Sequence, residues 1–392
     1  MNSSKLARPL AWSLVVLSLV LVAGMAFAAV PNIYLPVILK SAVSGTTPTQ
    51  APTGTPGAGG SAAALAIGPG HADTTTHQVI RTADDRILLF AGRMANNVVR
   101  VYRQTTTGLA TTSAEFAAGA TLTSPSGNVI SVDAASDGGG LVYVVFNTST
   151  GGVYLAPYEV AGGTFRSTLT LATDGGVVDG ASLYAGTQGL SVAVDLTGTL
   201  HVTHWTSGFR LTHCAYTYTN NQVTTCTPFT IDAGGAQATH PASAISPSDG
   251  SLTVTWQSDP LTTPSGNSRV LARRRTSAGS WGTIETVSTV APYFGRGSNS
   301  NEVNVDTGPS LAIDANGVRH LVFNQHFDAT GDYGRVIYVR DSGSGWATTS
   351  LDWYSHASVV AVNSDGRIAI VGHGGPQSTN AVNACKNNRN MC

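Results

Sequence analysis

The 392-residue chain carries 21 basic and 22 acidic residues, with its arginines dispersed, so it has no basic stripe and nucleic acid is excluded as a partner class. Only four residues are Glu and three are Lys, types that fill exposed helix faces, whereas Thr, Val, Gly and Ser abound. That composition excludes a helical domain and predicts an all-β fold.

Lys5 and Arg8 precede the apolar run LAWSLVVLSLVLVAG, and Ala26-Phe27-Ala28 fits the small-x-small cleavage rule. Residues 1–28 therefore read as a signal peptide, which predicts a secreted or cell-surface protein with no transmembrane span after cleavage. An uncleaved anchor is the alternative, but the apolar run is short for a span. Residues 29–62 combine a short apolar patch, VPNIYLPVILKS, with a Thr/Pro/Gly-rich stretch that cannot build a core and reads as a tether. The patch either docks to a neighbour or the envelope, or is a remnant.

From about residue 70 one hairpin recurs. PSLAIDANGVRHLVFNQ (309–325), GLSVAVDLTGTLHVTHW (189–205) and HASVVAVNSDGRIAIVGH (356–373) each fold two alternating apolar runs across a turn. The turns fall at Asp84-Asp85, Asp137-Gly138, Thr197-Gly198, Asp249-Gly250, Asn316-Gly317 and Asp365-Gly366, a period of roughly fifty residues that suits a four-stranded propeller blade. A third strand follows each of the first five hairpins. After it comes an aromatic residue, Phe116, Phe165, Trp281 or Trp346, read as core packing between blades. Arg273-Arg274-Arg275 is the one basic run and reads as a solvated strand.

Residues 63–378 are thus expected to form a six-bladed β-propeller of four-stranded antiparallel blades. The sixth unit has only its first hairpin, so an N-terminal strand at 63–69 is expected to close the ring and remove an open edge. A solenoid is the rival architecture, but neither end reads as a capping unit. Residues 379–392 form a Cys-containing tail. In an exported chain, Cys214 and Cys226 read as a bridge across a hairpin, and Cys385 and Cys392 as a second local bridge. Zinc is disfavoured because no C-x-x-C spacing occurs.

PSLAIDANGVRHLVFNQ followed by RVIYVRDSGSGW resembles the repeats of secreted bacterial sialidase-like, or BNR-repeat, propellers over roughly residues 71–378. The family's Asp box (Ser-x-Asp-x-Gly-x-x-Trp) is approximated by TSAGSW at 276–281 and DSGSGW at 341–346. Its Arg-Ile-Pro motif does not occur, so the resemblance implies the scaffold rather than the activity.

Up-and-down connectivity puts the tight turns on one face of a propeller and the longer loops on the other. Long loops at 257–268, 290–308 and 324–334 belong to units four and five. They gather Trp256, Asp259, Tyr293, Arg296, Glu302, Asp306, Asn324, His326, Asp328, Asp332 and Tyr333 along one rim, a mixture suited to a sugar ligand. Each residue taken alone is more often there for turn geometry or solvation, at about three to one. His240, His356, His204 and His373 could line the central funnel and take a metal, although hydrogen-bonded wall residues are the commoner case. Asp328–Asp332 could offer oxygens to a structural calcium ion, and no other cofactor is implied.

The reading that follows is a monomeric, non-catalytic binding or scaffold module for glycan or a surface partner. The alternative is a polysaccharide-active enzyme, either a glycoside hydrolase or a lyase. As a hydrolase it would use Glu302 paired with Asp259, Asp306 or Asp328 as carboxylates, or Tyr293 as nucleophile beside Glu302; as a lyase it would use His326 as base beside Tyr333.

Overall fold

A computed structural model describes residues 77–92, 97–108, 113–176, 189–208, 210–234, 237–259, 269–290, 308–325, 334–362 and 366–376. The first sheet runs β1 (His77–Arg81), β2 (Ile87–Gly92), β3 (Val98–Gln104), β4 (Phe116–Thr123), each strand beside the next. The second has β5 (Val129–Ser136), β6 (Leu141–Thr148) and β7 (Val153–Glu159), with its outer place shared by β8 (Thr164–Phe165) and β9 (Leu169–Ala172). The third has β10 (Leu190–Val194), β11 (Thr199–Trp205) and β12 (Leu211–Thr219), with outer pieces β13 (Gln222–Val223) and β14 (Phe229–Thr230). The fourth comprises β15 (Gln237–Ile245), β16 (Leu252–Asp259), β17 (Arg269–Arg275) and β18 (Trp281–Ser288).

The fifth sheet comprises β19 (Ser310–Ile313), β20 (Arg319–Asn324), β21 (Gly334–Asp341) and the first half of β22 (Trp346–Val362). Past a register break between Ser355 and Ser358, the second half of β22 pairs with β23 (Ile368–Pro376) as the opening hairpin of a sixth unit. Every pairing is antiparallel, and among the described residues the one helix is a 3-10 turn at Ser113–Glu115. The all-β expectation holds.

Turn chemistry explains why the hairpins recur. A residue with positive φ stands in each opening turn: Asp85, Gly138, Gly198, Gly250, Gly317 and Gly366. In the fifth unit Asp314 Oδ1 accepts the N–H groups of Asn316 at 2.9 Å and Val318 at 2.8 Å, and the Gly317 N–H donates to the Asp314 carbonyl. Asp195 does the same for Thr197 and Thr199 in the third. The aspartate three residues before the glycine therefore satisfies the turn amides that pairing leaves free.

The innermost strands β1, β5, β10, β15 and β19 pack each against its successor, and β19 packs against β22. Polar side chains fasten them: Asp133 Oδ2 accepts the Val192 N–H at 2.7 Å, and Ser310 Oγ accepts that of Val360 at 3.1 Å. Apolar clusters fill the space between successive sheets, as between the blades of a propeller. Phe165, Trp281 and Trp346 pack against these clusters, the core role expected of them, whereas Phe116 packs within the first sheet against Val79, Ile87, Leu89 and Tyr102. Arg274 is exposed and Arg273 and Arg275 are half-buried, as a solvated strand requires. Cys214 and Cys226 form a disulfide that ties β12 to the segment between β13 and β14. Cys385, Cys392 and residues 63–69 lie outside the described residues.

Candidate functional site

At each opening hairpin, one residue pairs with the last residue of the first strand. It is Ile87, Val142, Leu200, Leu252 and Ile368 in five units. In the fifth unit it is Arg319. A guanidinium whose side chain is only 13% exposed is costly unless paired, and here it is paired twice. From β18 of the preceding sheet, Glu285 accepts from Arg319 in bidentate fashion, Nη1 to Oε1 at 3.2 Å and Nη2 to Oε2 at 2.8 Å. From the end of β21, Asp341 accepts from Nε at 3.0 Å and from Nη2. Burial opposes the charge on Arg319, but these carboxylates outweigh it and hold the guanidinium pKa above its ordinary value.

Trp346 completes the cluster. Its ring lies 4.4 Å beneath the Arg319 guanidinium carbon, and its Nε1–H donates to Glu285 Oε2 at 2.8 Å. Asp341 also holds the following turn, accepting the N–H groups of Gly343 and Gly345. Its burial acts against ionisation, but the bonds from Arg319 and the turn amides keep its pKa below the ordinary carboxylate value.

This cluster forms one wall of a cavity of about 390 Å³ between the fourth and fifth sheets. Ser246, Ser251, Thr253 and Arg274 also line it from the side of the fourth sheet, with Ile313 and the glycines 317, 343 and 345 from the fifth. The volume falls in the range of small-ligand sites, roughly 300–1,000 Å³. Thr253 lines the cavity, is 1% exposed, and has a buried hydroxyl with no partner. The cavity lies among the tight turns that hold Gly317, Gly343 and Gly345.

Of the expected rim, Tyr293, Arg296, Glu302, Asp306, His326, Asp328, Asp332 and Tyr333 lie outside the described residues. Asp259 ends β16. Asn324 ends β20 and is buried. Trp256 is wholly buried in the cluster between the third and fourth sheets, a core side chain rather than a rim platform. The strand pleat accounts for this, since Leu252, Val254 and Trp256 alternate onto one inward face.

The histidines whose side chains are described are buried and hydrogen-bonded. His201 Nδ1 lies 3.0 Å from His213 Nε2, and its Nε2 lies 3.3 Å from Asp195. His320 repeats the arrangement, with Nδ1 2.7 Å from the Tyr338 hydroxyl and Nε2 3.6 Å from Asp314. His204 meets Asp174 at 3.3 Å, and His240 is buried beside Thr239 with a positive φ. His356 and His373 are described only as strand backbone. Among the described residues no three His, Cys, Asp or Glu side chains gather as a metal site.

Sequence reasoning missed Arg319, Glu285, Asp341 and Thr253. The signal was present for Arg319, an arginine where the other repeats carry an aliphatic residue. None existed for Glu285, which meets it only because two sheets pack side by side.

No protein-family model matches the chain, and no curated protein matches it. Several solved structures superpose on it. Aleuria aurantia lectin, described as a six-bladed β-propeller with a novel fucose recognition mode, is 14% identical with a TM-score of 0.44, covering 78% of this chain and 80% of that one. AofleA from Arthrobotrys oligospora is 11% identical with a TM-score of 0.45, covering 78% and 76%. A Dyadobacter fermentans protein is 11% identical with a TM-score of 0.49, covering 78% and 92%. At these values the likeness carries no argument about ligand or activity.

Proposed function

We propose that the protein is an exported, non-catalytic binding module for glycan, and that the cavity between the fourth and fifth sheets takes the sugar. The observation that carries this reading is the replacement of a repeat-wide aliphatic residue by Arg319, ion-paired on the cavity wall. An indole, fixed charged acceptors and the unpartnered Thr253 hydroxyl around a volume of that size suit a ligand that is polar around its rim and apolar on its faces. Glycan-array screening of the chain lacking residues 1–28 tests it. Saturable binding to a subset of saccharides is expected, and a flat response removes the glycan reading.

The scaffold part of the proposal is a six-bladed ring closed by residues 63–69 as an outer strand of the sixth unit. Its support is Ile368, 41% exposed, at the place where Ile87, Val142, Leu200 and Leu252 are buried beneath further strands. Deletion through Gly60 should leave the melting temperature unchanged, and deletion through Gly70 should lower it or cause aggregation. Equal midpoints for the two truncations would mean that the ring closes in another way.

A further inference from the structure

We infer that this cavity selects uncharged saccharides and turns acidic ones away. The inference rests on the glycan reading and adds to it the charge of the ligand. Four charged side chains line the space: Arg274, Glu285, Arg319 and Asp341. An arginine that grips a ligand carboxylate must have donors to offer, and Arg319, the buried one, has almost none. Arg319 has four of its five N–H donors engaged by Glu285 and Asp341, and one guanidinium face lies over Trp346. Arg274 donates from Nε to Ser251 Oγ at 2.9 Å and is ion-paired with Asp249.

The charge sum points the same way. The four lining charges cancel, and Asp249, ion-paired with Arg274 outside the lining, brings the whole cluster to one net negative charge. An incoming carboxylate would have to displace a charge-assisted bond and approach two like charges in a partly desolvated space. A neutral polyol meets neither obstacle. Glu285 Oε1 accepts one hydrogen bond where Oε2 accepts two, which leaves Oε1 a lone pair for a ligand hydroxyl. The unpartnered Thr253 hydroxyl belongs to a residue that lines the same cavity. A Cβ built on Gly343 or Gly345 would meet nothing within 4 Å, so that side of the cavity leaves room for a ring.

The test titrates the protein at low ionic strength with matched pairs: the methyl glycosides of glucose, galactose and mannose, and the corresponding methyl uronides. Each pair differs by one carboxylate on the same ring. The neutral member of at least one pair should bind about tenfold more tightly, the size expected for one uncompensated like-charge contact. Glu285→Gln removes the net charge and should narrow that ratio, and Thr253→Val should weaken the neutral ligand without changing the ratio. A uronide that binds as well as its neutral partner overturns the charge inference and leaves the glycan reading standing. Neutral binding indifferent to both substitutions overturns the placement in this cavity. Failure of all six sugars, in a protein that an array shows to bind acidic glycans alone, likewise overturns the charge inference. Failure on the array as well overturns the glycan reading itself.

Discussion

Trp281 and Trp346 occupy the same place in the repeat, each opening a fourth strand opposite the last residue of the third. Both lie beneath a guanidinium, Arg273 at 5.9 Å and Arg319 at 4.4 Å. What the preceding sheet presents decides the rest. Toward Trp281 the third sheet presents Phe229, stacked at 5.3 Å and 6° between ring planes, and His213 sits edge-on at 5.1 Å. Arg273 spends its donors on the carbonyls of Gly282 and Ile231. That junction is closed by apolar packing. Toward Trp346 the fourth sheet presents Glu285, and the space in front remains a cavity. One framework therefore makes a sealed joint or a site, according to whether an aromatic or a carboxylate arrives from next door.

The sharpest way to break this comparison is to return the fifth unit to the repeat. Arg319→Leu restores the aliphatic residue of the other hairpins and leaves Glu285 and Asp341 without a counter-charge. Asp341 is nearly buried whereas Glu285 is partly exposed, so the loss should fall at the lower end for broken buried pairs, about 3 kcal/mol. Urea denaturation measures it. A loss below about 1 kcal/mol would mean that solvent screens the pair and that Arg319 is a surface residue in effect.

The contrast also marks how far the sequence was legible. Hairpins, their period, the packing aromatics and the Cys214–Cys226 bridge all depend on residues near one another in the chain, where turn chemistry and alternation leave a trace. The merging of two units through β22 left none, because a strand that continues past a register break reads the same as two strands. Trp256 misled because it adjoins a long loop, while the pleat, not the loop, sets its direction. The Glu285–Arg319–Trp346 cluster depends on lateral packing of sheets, which no local pattern records.

The smallest expected effect separates the two junctions by pH. The sealed joint contains the His201–His213 pair, and the repeat place of His201 is taken by Thr253 on the cavity side. Burial pushes the His213 pKa down to about 3, with His201 and Arg275 adding repulsion; burial likewise lowers His201, though Asp195 opposes that shift. A histidine whose folded pKa is depressed binds fewer protons in the native state than in the unfolded chain. Stability is therefore full above the unfolded value near 6.5 and falls as pH drops from there toward the folded value. Between pH 7 and pH 5 His213 should account for about 2 kcal/mol of that loss. His213→Gln lowers stability at neutral pH by removing the contact to His201, so the informative quantity is the slope. Denaturant midpoints for wild type and variant should converge as the pH falls from 7 to 5. Parallel slopes would show that acid reaches the protein through other groups, among them His240, which burial also depresses to about 3.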